Sequence, residues 1–471
     1  MLFILNIIKN KYLLQMKRRD FLTNTALLGA GIPLAGIAPV AFTSCTTKGK
    51  SEIKLLKPEE LGMFSFVDIA PDGKPLKAAL VGCGDRGTGA ATEFLKAGPN
   101  VSIIALADVF TDRLERCRGI LREKFNNEVS DANCFIGFDS YKKALALDID
   151  VILLCTPTHF RPEHFKAAVE AGKHIFMEKP CAVDPTGIRT VIAAAKVATT
   201  KGLTVITGNQ RRHRKDYWEA FIRVRSGMIG EILSGSAHWD QGAWWNQSRR
   251  PGWTDMEYCI RNWFNIKWLS GDHILDQAIH NIDIVTWFTG MRPVRAVGFG
   301  GRAQRLTGDI FDFIAVDYYY ENNKRMLATA RQIDGCHGNT SEQVMGSKGI
   351  ALLDDDPQNN PIRIVDYNGN VIWQYDYENN PVKNPYEQEH VHLVESIRLN
   401  KKINQAEDLA YSTLIAIQGR EAAYTGNNIT WDDIMSSPLR YGPETYEMGA
   451  LPFYQEGVAP KPGRAPRAPR T

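Results

Sequence analysis

The hexapeptide Gly82-Cys83-Gly84-Asp85-Arg86-Gly87 limits what this chain can fold into more than any other stretch. An apolar run from Pro75 to Val81 precedes it, and a helical period reaching Ala97 follows it. Three glycines between a strand and a helix make a turn too tight for side chains. Its backbone amides then face outward at a helix N-terminus, where they can cradle a dinucleotide pyrophosphate. Asp108 closes the next apolar run, about 20 residues beyond the last glycine, where a carboxylate accepts ribose hydroxyls. That carboxylate favours NAD over NADP, because it would repel a 2′-phosphate. Arg86 and Arg113 are the residues that could meet a phosphate instead.

Around this turn the chain alternates. Apolar runs at 101–107, 150–155, 174–177 and 203–207 are separated by helical periods at 112–125, 163–171 and 186–199. This β-α-β-α order predicts an α/β Rossmann domain with a parallel sheet and helices on both faces, over 76–208. After about residue 210 the pattern changes. Runs at 231–239, 295–300, 313–320, 325–331, 362–366 and 370–375 lack crossover helices. They predict an α+β domain over 209–440 with a large, mostly antiparallel open sheet, closed by helices at 390–399 and 409–425. Residues 441–471 form an extension whose Ala-Pro-Arg tail is too polar to pack.

The first 45 residues read as an export signal. Arg18-Arg19, then Phe21-Leu22 and a mildly apolar run from Ala26 to Phe42, resemble a twin-arginine leader. Gly29, Gly31, Pro33, Gly36 and Pro39 make that run a poor membrane span. Ser44-Cys45 resembles a lipoprotein processing site, so Cys45 is the expected lipidated residue and the membrane anchor. Met16 is then a better start than Met1. Residues 46–75 are the expected tether. The eight cysteines include no Cys-x-x-Cys pair, which argues against a zinc site or a disulfide frame, and no metal is expected. A net charge of +3 with no basic block excludes nucleic acid as an expected partner.

Further motifs carry a resemblance. Thr156-Pro157-Thr158-His159, His164, Ala171-Gly172-Lys173-His174 and Glu178-Lys179-Pro180 are followed by Gly271-Asp272-His273, Asp276-Gln277-Ala278-Ile279-His280 and Asp283. Together with Val344–Gly349 they resemble the glucose–fructose oxidoreductase / inositol dehydrogenase family (Gfo/Idh/MocA) over about 76–435. The resemblance implies Lys179, Asp276 and His280 as catalytic residues. It implies Thr156, Pro157, His159, Glu178, Lys179 and Gln210 on the cofactor side. Arg212, Tyr217, Trp263 and His273 join the catalytic three toward substrate. Asp276 and His280 stand four apart, so on one helix they would share a face, and a carboxylate could fix the histidine tautomer. Lys179 would end a parallel strand, where open α/β sheets bind ligands. The implied reaction is NAD-dependent oxidation of a secondary alcohol. His273 departs from the Gly-Gly-Gly of many relatives and is an extra polar group near the site.

Trp239, Trp244, Trp245, Trp253, Trp263 and Trp268 crowd one stretch, interspersed with amides and arginines. Aromatic faces suit sugar rings, so a sugar or glycoside substrate is expected. Export adds a demand. Free dinucleotide is scarce outside the cytoplasm, so the cofactor should be loaded before export, held, and recycled in place. Reversible oxidation of a glycoside hydroxyl, for example at C3, feeding a partner lyase or hydrolase, meets that demand. An NAD-dependent glycosidase of the same fold and a non-catalytic sugar- or dinucleotide-binding lipoprotein are the alternatives. The open sheet offers a face for a homo-oligomer.

Overall fold

The computed structural model describes residues 53–62, 66–243, 245–354, 359–459 and 461–463. The export signal with Cys45, Trp244 and most of the Ala-Pro-Arg tail lie outside the described residues. None of the described helices is long and apolar enough to cross a membrane.

The first domain runs β1 (Leu76–Val81), α1 (Asp85–Lys96), β2 (Val101–Asp108), α2 (Thr111–Phe125), β3 (Cys134–Ile136), α3 (Ser140–Leu145), β4 (Val151–Leu154), α4 (Arg161–Glu170), β5 (His174–Met177), α5 (Pro185–Thr200) and β6 (Val205–Thr207). The strands form one parallel sheet in the order β3-β2-β1-β4-β5-β6. Its centre is apolar on both faces. All four side chains of β4 are fully buried, each contributing roughly 1.5–3 kcal/mol relative to exposure. Local signals set the helix ends. The Asp184 carboxylate accepts the Gly187 amide at 2.8 Å ahead of α5, with Pro185 at its first position. Asn126 in the left-handed region stops α2. The strand order reverses between β1 and β4, and the glycine turn leaves β1 at that switch point.

The second domain contributes α6 (Lys215–Arg225), β7 (Ile232–Gln241), α7 (Asp255–Arg261), α8 (Lys267–Ser270), α9 (His273–Asp276), α10 (Ile279–Thr289), β8 (Arg295–Gly301), β9 (Phe313–Tyr319), β10 (Arg325–Gln332), β11 (Asn339–Gly346), β12 (Ile350–Asp354), β13 (Arg363–Val365), β14 (Val371–Gln374), α11 (Pro385–Arg398), α12 (Ala406–Thr425), β15 (Ile429–Thr430) and α13 (Trp431–Ser436). Its nine-stranded sheet has the order β14-β13-β12-β11-β7-β10-β9-β8-β15, with only the β7–β10 pairing parallel. Alternate residues of β9 and β10 (Ile314, Val316, Tyr318; Met326, Ala328, Ala330) are buried. Helix α12 covers that side, where the Tyr318 hydroxyl donates to the Ile415 carbonyl at 2.8 Å.

Two expectations are corrected here. Strands β11 and β12 are not anticipated from the sequence, β11 because Glu342 interrupts its apolar alternation. Glu342 is nevertheless fully buried, bound by Arg211 and by the Tyr217 hydroxyl. The predicted tether is also partly folded. Phe66 packs edge-on against Trp218, and the Ala70 amide donates to the Ala97 carbonyl at 2.8 Å.

Candidate active site

The glycine turn is built as its sequence requires. Gly82 has φ +94°, and a Cβ there would lie 2.7 Å from the backbone of Cys155 and Thr156. A Cβ on Gly87 would lie 1.7 Å from the Gly82 carbonyl oxygen. A Cβ on Gly84 would meet nothing nearer than the Arg113 side chain, so the backbone is bare toward the space above it. That space is a cavity of about 530 Å³. Gly82, Gly84, Asp85, Arg86, Gly87, Asp108, Arg113, Thr156, Pro157 and Trp263, all expected at the site, line it. The residues present fit a dinucleotide: a bare amide turn at the N-terminus of α1, and a carboxylate at the end of β2.

Several polar wall residues are held from behind. The Asp108 carboxylate accepts the amides of Cys83 (2.6 Å) and Phe110 (2.8 Å), and burial pushes its pKa up against them. Asp85 engages Arg116 at 2.6 Å. Arg86 is committed to the carboxylates of Glu178, Glu93 and Glu389, so it is not a free phosphate ligand. Glu178 sits beside Lys179, so Arg86 ties the glycine-turn helix to the carboxyl end of β5. Burial raises Glu389 well above the carboxylate range. Its desolvation and the neighbouring carboxylates outweigh Arg86.

Lys179, Asp276 and His280 are brought together, although none of the three lines that cavity. Lys179 follows β5, and its Nζ donates to the Asp276 carbonyl at 2.5 Å. Burial pushes the Asp276 carboxyl up, and the charges of Lys179 and Arg161 oppose that. Burial pushes His280 well below the ordinary histidine range, reinforced by Lys179, Arg211 and Arg86. His280 packs beside the Trp239 ring at 5.4 Å.

The expected Asp276–His280 hydrogen bond is absent. The helix breaks between α9 and α10, with Gln277 at φ −111° and ψ −59°. Spacing of four then no longer gives a shared face, and the Asp276 carboxylate accepts instead from Gln277 Nε2 at 3.2 Å.

Several other expected site residues have structural partners. Arg212 forms a bidentate pair with Asp283 at 2.8 and 2.9 Å and a third bond to Asp408. Tyr217 is fully buried against Glu342. His273 is fully buried, with Nδ1 2.5 Å from Asp272, whose other oxygen accepts the Phe311 amide. His159 bonds the Tyr446 hydroxyl at 2.8 Å and lines a second cavity, not the dinucleotide one. Burial lowers it to about 3. Gln210 is buried behind β6, and its side-chain oxygen has no hydrogen-bond partner. His164 bonds Thr156 at 3.3 Å and lines both cavities.

The sequence reading missed Phe110, Phe138 and Ile260 on the cavity wall, and it placed Trp245 and Arg261 in the sugar-facing stretch, whereas they line the dinucleotide cavity. It also missed Arg161, buried and bonded to the Pro180 carbonyl at 2.5 Å. Local pattern carries no signal for these, because an apolar or buried side chain does not declare in sequence that it faces a cavity.

Comparison with known proteins agrees with this architecture. Residues 76–207 match the family described as "Oxidoreductase family, NAD-binding Rossmann fold", and residues 219–352 match "GFO/IDH/MocA C-terminal domain". D-glucoside 3-dehydrogenase from Escherichia coli is 25% identical over 231 residues, 48% of this chain and 58% of that protein. A glycosyl hydrolase family 109 protein from Streptomyces coelicolor is 27% identical over 223 residues, 47% of this chain and 45% of that protein. The chain thus spans about half the length of the curated relatives it matches. Among solved structures, scyllo-inositol dehydrogenase from Lactobacillus casei with bound NAD(H) and scyllo-inositol superposes with TM-score 0.58. It is 22% identical and covers 76% of this chain and 99% of its own. Aldose–aldose oxidoreductase from Caulobacter crescentus gives TM-score 0.59 at 18% identity, over 76% of this chain and 100% of its own. The two family matches together span more than half of the 471 residues, and the chain belongs to the Gfo/Idh/MocA oxidoreductase family, with an NAD-binding Rossmann domain at 76–207.

Proposed function

We propose that this protein is an exported, lipid-anchored oxidoreductase that oxidises or reduces a secondary hydroxyl of a sugar or glycoside with a retained NAD. One observation carries the reading. A half-buried lysine meets a buried carboxyl residue and a buried, neutral histidine at the carboxyl end of β5, beside a cavity that fits a dinucleotide.

The bound nicotinamide supplies the hydride acceptor or donor. The chain's residues do the rest. His280, kept unprotonated by burial and by three cations, accepts the hydroxyl proton. Those same cations make it a weaker base, but they also favour the alkoxide that the proton leaves behind. Lys179 orients the hydroxyl and stabilises that developing charge. The Asp276 carbonyl aims Lys179. Similarity to D-glucoside 3-dehydrogenase supports a glycoside hydroxyl as the reacting group. In this reading residues 1–45 direct export and Cys45 carries the lipid. The outer face of the second sheet, with Phe299 and Leu327 exposed, pairs copies of the chain, and the mass of the purified protein in solution tests that.

Similarity to glycosyl hydrolase family 109 proteins favours a second reading, a glycosidase that oxidises transiently and then eliminates the aglycone. The test is a panel of free sugars and nitrophenyl glycosides, followed by nicotinamide absorbance and by nitrophenol release. Reduction of the cofactor without nitrophenol supports the dehydrogenase. Nitrophenol release without net reduction supports the glycosidase. Neither signal from a protein that binds NAD would overturn both.

A further inference from the structure

The dinucleotide cavity has two unlike walls. One belongs to the Rossmann domain. The other is lent by the second domain: Trp245, Asn246, Gln247, Ile260, Arg261 and Trp263. We propose that residues 245–263 form a latched cover over the cofactor, with Arg261 gripping Asp112 as the latch that sets how long the cofactor stays bound. This rests on the reading of a retained NAD.

The latch is specific in its geometry. Arg261 Nη1 and Nη2 donate to the two Asp112 oxygens at 3.1 and 3.0 Å, and Nε donates to Glu257 at 2.9 Å. Such a fork uses the guanidinium's planarity as well as its charge. The same guanidinium lies 3.9 Å from the centre of the Phe110 ring. Phe110 is a cavity-wall residue two positions past Asp108, and Asp112 stands in the first turn of α2. Arg261 therefore bolts the end of α7 to the rim where the Rossmann wall begins.

The cover is held from behind as well. Buried Asn262 accepts the Gln247 amide at 2.9 Å, and Asn265 donates to the Trp245 carbonyl at 3.2 Å, which fixes the loop bearing the indole. The C-terminal extension braces α7 through Met256 N to the Gly449 carbonyl (3.0 Å) and Leu451 N to Asp255 (3.1 Å). Met256, Ile260, Trp268 and Leu451 share one apolar cluster with Phe110 of the first domain. With the fork closed, the two walls stay apposed on either side of a bound dinucleotide, and breaking the fork frees the cover to move. Asp112 is 62% exposed, so salt screens the latch, and release should quicken with ionic strength.

The experiment loads the full chain with NADH, chases with excess NAD, and follows loss of bound-NADH fluorescence in the wild type, Arg261→Ala, Arg261→Lys and Asp112→Asn. Arg261→Ala and Asp112→Asn should each speed release about tenfold or more. The double variant should add little. Arg261→Lys should fall between, and the salt dependence of release should vanish in Arg261→Ala and Asp112→Asn. Asp112→Asn changes an exposed side chain, so it tests the latch even where Arg261→Ala fails to fold. Equal release rates in wild type and a folded Asp112→Asn would overturn the latch. Fast release from the wild type with the tenfold ratio intact would instead sink the retained-cofactor reading and leave the latch standing.

Discussion

His280 can take a proton only if it arrives without one, and its surroundings secure that. Burial, Lys179, Arg211 and Arg86 all disfavour the imidazolium. Its acid limb in kcat/KM should therefore fall below the usual histidine value near 6.5, and a pH–rate profile checks this. His280→Gln should lower kcat by about 10²–10⁴, the usual share of a general base. It should leave NAD affinity close to wild type, because His280 is not on the cavity wall. Lys179→Met should do the same. Short motifs point to Lys179, Asp276 and His280, and the fold brings the three together. Arg212, Tyr217, His273 and His159 were misplaced for a physical reason. Arg212, Tyr217 and His159 are each satisfied by a partner far off in sequence (Asp283, Glu342 and Tyr446), and His273 is buried against its neighbour Asp272; a polar side chain does not declare in sequence whether water, ligand or protein will meet it.

Among the elements, the glycine turn was the most predictable and the segment bearing Asp276 and His280 the least. Backbone sterics force the first: φ +94° at Gly82 and the 1.7 Å approach at Gly87 leave no alternative residue. Gly87→Ala should push α1 away from β1 and weaken NAD binding by at least about tenfold, equivalent to 1.4 kcal/mol or more. Titration of NAD against intrinsic tryptophan fluorescence measures it, and unchanged affinity would contradict this account of the turn. The break between α9 and α10 had no warning in the spacing of Asp276 and His280. Four residues predict a shared face only while the helix continues. Strand β11 was hidden in the same way, since a buried glutamate reads as solvent-facing until Arg211 is placed against it.

Across the molecule, the Rossmann half could be read almost entirely from sequence, because a buried parallel sheet needs continuous apolar runs. The antiparallel half was less legible, since its alternation is weaker and α12 covers it from far along the chain. The whole fold also stores pH sensitivity. Burial lowers His159, His164 and His213 to about 3. Unfolded histidines titrate near 6.5, so below that pH the unfolded chain binds protons that the folded chain refuses. The stability these neutral histidines contribute is complete above about 6.5 and is lost as pH falls toward 3. The thermal midpoint should drop steadily from pH 7 to pH 4, as calorimetry would record. The central claim is that Lys179, Asp276 and His280 carry out hydride chemistry on a carbohydrate beside bound NAD. The most direct measurement is a single turnover of NAD-loaded protein with a sugar or glycoside, read by nicotinamide absorbance, in wild type and His280→Gln. The account predicts cofactor reduction in the wild type and almost none in a variant that holds NAD equally well. Reduction at the same rate in both would contradict it.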